Sequence, residues 1–112
     1  MNNKLVLSKT VLRVAEHLCL TLDQLAVILD IEKSSINQLD MTLDPDTKPG
    51  QKALLLIQIF QLLDALNGKE IQWIRHFMGS QNHLTGGVPI EQIQNETGLV
   101  KVKECLQALL VK

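Results

Sequence analysis

Between Gln51 and Asn67 the chain is apolar around most of a helical circumference, and this stretch constrains the fold more than any other. Ala53 to Ile57 are all apolar, and Ile59, Phe60, Leu62, Leu63, Ala65 and Leu66 follow. Gln58, Gln61 and Asp64 leave only a narrow polar strip at helical spacing. A surface helix of a small protein needs one apolar stripe, so a helix of this kind must be covered on two sides. The chain's own core supplies one cover. A second copy would supply the other in a homodimer, with Leu55, Ile59, Leu62, Leu63 and Leu66 as the interface; complete burial inside a monomer is the alternative.

Strand-like alternation is absent, so the fold is expected to be all-α. Leu43 to Gly50, with two prolines and a glycine, reads as a loop, and Asn67-Gly68 closes the long helix. Gly79 to Asn82 and Gly86 to Pro89 bracket a short irregular stretch. These breaks give three regions: 1–50, a helix-turn-helix unit of DNA-binding type; 51–67, the central helix; and 68–112, a small helical domain.

In the first region Ser8 is placed to cap a helix from Lys9 to about Leu18. Thr21 and Gln24 form a capping box opening a helix through Leu29, with Leu22, Leu25, Ala26 and Leu29 as its apolar stripe. A third helix is expected from near Lys33 to Leu39. Asp30 stands at the turn where a left-handed residue is wanted, Ala26 allows a close helix crossing, and Ile31 plugs the core beneath the turn. In the last region helices are expected over 70–78, from Pro89 to about Asn95 and from Leu99 to Val111.

The 112 residues are 46% hydrophobic and 21% charged, enough to fill a core. No run approaches the roughly 20 apolar residues of a membrane span, and the apolar stretch near Met1 is too short for a secretory leader. A cytoplasmic protein is expected. Cys19 and Cys105 read as two buried reduced thiols, and His17, His76 and His83 lack metal-ligand spacing. No phosphate loop, nucleophile elbow or metalloprotease motif is present, so no enzyme is expected.

Trp73-Ile74, then Asn82, Leu84, Gly86, Pro89-Ile90, Ile93, Gly98-Leu99, Val102 and Leu106 resemble the C-terminal domain of the MbcA/ParS/Xre antitoxin family. That family's motif runs from Trp through a spacer to Asn-x-x-Leu-x-Gly-x-x-Pro, then Gly and a terminal amphipathic helix. The helix-turn-helix and the Leu-rich helix are similar to its Xre-type N-terminal half. The resemblance implies a type II antitoxin that covers the active-site entrance of a RES-domain toxin acting on NAD. It also implies repression of its own operon. The NAD chemistry would belong to the partner, so no cofactor is expected on this chain.

Asn82 and Gly86 suit structural roles in an irregular loop. The terminal helix is the candidate toxin contact, through Leu99, Lys101, Val102, Lys103, Leu106, Leu109, Leu110 and Lys112, unless its apolar face only closes its own core. If it is a free plug, removing the last dozen residues abolishes inhibition while the body still assembles. Thr21, Lys33, Ser34, Ser35, Asn37 and Gln38 are the candidate DNA contacts. Residues 1–65 carry six cationic against eight anionic side chains, a balance of −2, and Glu32 and Gln38 stand where a cap and an Arg are usual. Weak, salt-sensitive operator binding follows, strengthened by avidity in a toxin-bound assembly. The alternative function is a stand-alone helix-turn-helix regulator without a toxin partner.

Overall fold

A computed structural model of the chain describes residues 3–32, 34, 43–67 and 71–110. Among these the helices are α1 (Asn3–His17), α2 (Leu22–Leu29), α3 (Lys48–Asn67), α4 (Ile71–Gly79), α5 (Pro89–Gln92) and α6 (Glu96–Leu110). The described residues hold no strand, only an isolated antiparallel bridge between Asn82 and Gly87.

The Leu-rich helix α3 is the hub, packed against α1, α2, α4 and α6. Ala53, Leu56, Ile59 and Leu63 follow helical spacing and are fully buried. Burial of each large aliphatic side chain stabilises by about 1.5–3 kcal/mol. Leu55, Leu62 and Leu66 along one edge, with Ile57 and Phe60 along the other, are partly buried against the same core. Gln51, Leu54, Gln58, Gln61 and Asp64 face water. Most of the wide apolar arc is therefore covered within one chain, with Leu54 left exposed. Of the interface candidates, Ile59 and Leu63 are corrected to core residues with no surface to offer, while Leu55, Leu62 and Leu66 are half-buried against the same core.

Helix α1 starts well before Ser8, which is buried inside it and does not stand at its start. Leu7, Val11, Val14, Ala15 and Leu18 give it one buried face. It stops at a left-handed residue, Cys19 (φ 64°), whose N–H donates to the Glu16 carbonyl at 3.1 Å while Leu20 N–H reaches Ala15 at 2.8 Å. These are the two bonds of a Schellman stop. Helix α2 opens on the expected capping box, with Gln24 N–H on Thr21 Oγ1 (3.1 Å) and Thr21 N–H on Gln24 Oε1 (2.9 Å). It stops in the same way at Asp30 (φ 57°, ψ 48°), with Asp30 N–H on Val27 (3.2 Å) and Ile31 N–H on Ala26 (3.1 Å). Ile31 is half-buried against the core, whereas Leu22 is exposed and Ile28 takes the inward place. Apart from Ser34, the expected third helix lies outside the described residues.

Helices α3 and α6 begin by one shared device. Thr47 Oγ1 accepts the Gly50 N–H at 3.3 Å, and Asn95 Oδ1 accepts the Gly98 N–H at 2.8 Å. Each cap thus serves the glycine three residues on. A Cβ on Gly50 would collide with the Asp44 carbonyl, and one on Gly98 with the Gln92 carbonyl, six residues upstream in both cases. Two helices that pack on each other therefore each start from an approach that only glycine permits. Pro49 and Gly50 accordingly belong to the first turn of α3, not to the loop before it.

Candidate functional site

The irregular stretch between α4 and α5 is bonded both within itself and to the helices beside it. Asn82 N–H donates to Gly87 O (2.8 Å) and Gly86 N–H to Asn82 O (2.9 Å), closing the bridge. Gly86 lies at φ +78°, a region open to glycine at little cost. Asn82 Oδ1 accepts the Leu84 N–H at 2.8 Å, the loop-fixing role expected of it. Thr85 is buried, and its hydroxyl donates to Gly87 O at 3.2 Å.

Two further bonds tie this loop to the helices beside it. Gln92 of α5 donates from Nε2 to Thr85 O at 2.6 Å, and Cys105 of α6 donates from Sγ to Leu84 O at 3.1 Å. Sequence reasoning missed both Gln92 and Cys105, because neither bond follows from spacing. Cys105 is half-buried and Cys19 exposed, so the expectation of two buried thiols is corrected. Cys19 sits outside the core because it occupies the left-handed stop of α1.

The loop also departs from the family pattern. One residue, His83, separates Asn82 from Leu84, where the pattern has two. The residue three places after Asn82 is Thr85, and it is the one that points inward. Leu84 is exposed at 56%, with Val27 (55%) and Val6 (51%) close to it.

Helix α6 divides the candidate toxin contacts. Leu99 and Val102 are 0% exposed and Leu106 is 1% exposed. They pack in the core on which α3 also rests, so they are corrected from partner contacts to core residues. The Leu99, Val102, Leu106 spacing is that of one helix face, and the chain itself covers that face. Lys101 and Leu110 are exposed, Lys103 and Leu109 are half-buried, and Lys112 lies outside the described residues. Lys101 also borders the loop, since a Cβ on Gly86 would lie 3.3 Å from its Nζ. A shallow groove of about 400 Å³ along α6 is lined by Glu96, Thr97, Val100, Lys101 and Glu104.

Of the candidate DNA contacts, Thr21 is exposed but engaged in its cap, and Ser34 is exposed with Oγ 3.5 Å from Glu32 Oε2. Lys33, Ser35, Asn37 and Gln38 lie outside the described residues. Among the described residues no group of three His, Cys, Asp or Glu side chains could hold a metal ion, and no helix is long and apolar enough to cross a membrane. No protein-family model matches the chain. No curated protein is significantly similar to it.

Proposed function

We propose that this protein is an antitoxin that binds a RES-domain, NAD-consuming toxin and blocks it sterically. The resemblance of the Trp73 to Leu106 region supports the reading. The observation that carries it is the loop from Asn82 to Gly87, pinned to α5 and α6 through Gln92 and Cys105. A loop held in one shape by bonds from two neighbouring helices is pre-ordered and loses little freedom when a partner meets it. The contact surface on this reading is the loop with the outward residues of α6, Lys101 and Leu110 first, while Leu99, Val102 and Leu106 hold the helix in place.

The test is to read the adjacent reading frame, where the proposal expects a RES-domain toxin, and to co-express its product with this chain, scoring co-purification and relief of growth arrest. Complex formation with restored growth is expected; full toxicity beside stable, folded antitoxin overturns the proposal.

Operator binding is the second part of the reading. With a balance of −2 over residues 1–65, the free chain has little to attract phosphates. A gel shift on its own promoter should be weak and salt-sensitive alone, and tighter with toxin present. A tight shift by the free chain, with no toxin gene adjacent, favours a stand-alone regulator instead.

A further inference from the structure

Charge is sorted along the first part of the chain. Residues 1–13 carry Lys4, Lys9 and Arg13 and no acidic side chain, whereas residues 14–32 carry Glu16, Asp23, Asp30 and Glu32 and no Lys or Arg. The structure turns this order into two outward surfaces. On α1, Val6, Lys9 and Arg13 recur at helical spacing and all three are exposed. Two shallow hollows, of about 300 and 510 Å³, share Val6 and Thr10 and so form one trough. Leu54 and Ile57 of α3 line its apolar end, and Lys9 and Arg13 its cationic end.

Helix α2 presents the opposite character. Leu22, Asp23 and Val27 are exposed on it, and Asp30 is exposed at its stop. Asp23, Val27 and Asp30 follow helical spacing, so the apolar side chain stands between two carboxylates. The trough has apolar side chains beside cations and no acid in its lining, while α2 has apolar side chains beside carboxylates and no cation. A phosphate backbone would meet Lys9 and Arg13 and leave Val6 and Leu54 uncovered. A surface like that of α2 meets both, and matched charge around an apolar centre sets the partner and register of a contact.

We propose that the trough is occupied by a second copy of this chain, whose α2 lies over Val6 and Leu54 with Asp23 and Asp30 against Lys9 and Arg13. Each copy carries both surfaces, which is what a self-complementary contact requires. The residue that α3 contributes is the exposed Leu54, so this interface differs from the one expected on α3 from the sequence. It does not depend on the antitoxin reading.

Sedimentation equilibrium of the full-length chain is the test, with thermal unfolding of each variant recorded beside it. Wild type should self-associate below about 100 μM, and about tenfold more weakly when salt rises from about 0.05 to about 0.5 M. Lys9→Glu/Arg13→Glu and, separately, Val27→Lys should each weaken association about 30-fold or more while unfolding as wild type does. An equimolar mixture of the two variants should associate again, because one keeps its α2 surface and the other its trough. A wild type that is monomeric at about 100 μM overturns the proposal without recourse to any variant. Association within about threefold of wild type in either variant puts the contact on another face and overturns it as well. A mixture no stronger than either variant alone overturns the pairing of trough with α2.

Discussion

The two halves of the molecule fix the chain between their helices by different means. In the N-terminal half, α1 and α2 stop at Cys19 and Asp30, residues with side chains held in the left-handed region by main-chain bonds. In the C-terminal half the left-handed position of the loop is a glycine, Gly86, and side chains of Asn82, Thr85, Gln92 and Cys105 all bond to the loop backbone. Main-chain stops fix where a helix ends and little more. Side-chain bonds from several elements fix the shape of a surface. The contrast puts the more extensively bonded geometry in the half proposed to bind a partner.

That contrast can be broken first at the helix starts, which the two halves share. Ala at Gly98 or at Gly50 would drive a methyl into a carbonyl, and each should cost about 3 kcal/mol, outweighing the helix propensity gained. Urea unfolding reads both. Equal losses would support one device at two helix starts, and tolerance of either alanine would break the equivalence. Next, Gln92→Leu removes the donor to Thr85 O and should destabilise by about 1–2 kcal/mol. The same measurement should show no loss if the loop is held without α5. Smallest, and opposite in sign, Cys19→Gly and Asp30→Gly should each stabilise by about 0.5–1 kcal/mol by relieving the left-handed cost. A melting temperature lowered by both would show that these side chains contribute contacts of their own.

Local chemistry was the most legible part of the sequence. The Thr21 and Gln24 capping box and the left-handed Asp30 depend on residues a few positions apart, and both follow from spacing. The need to cover α3 on two sides was equally legible, but not what covers it, because periodicity names a face and says nothing about the chain that packs there. The same limit applies to Leu99, Val102 and Leu106, whose stripe suits a docking helix and a core helix alike. Ser8 misled because a capping residue inside a longer helical run carries the same local signal as one at its start. Gln92, Cys105 and the carbonyl contacts of Gly50 and Gly98 were not legible, since each depends on how a loop folds back onto a helix.

The central claim is that α6 is a structural member with a buried inner face and not a detachable plug. Deleting residues 101–112 removes Val102 and Leu106 from the core, so the shortened chain should lose its cooperative urea transition. A truncated chain that unfolds with the midpoint and slope of the intact one would put α6 outside the core and contradict the account.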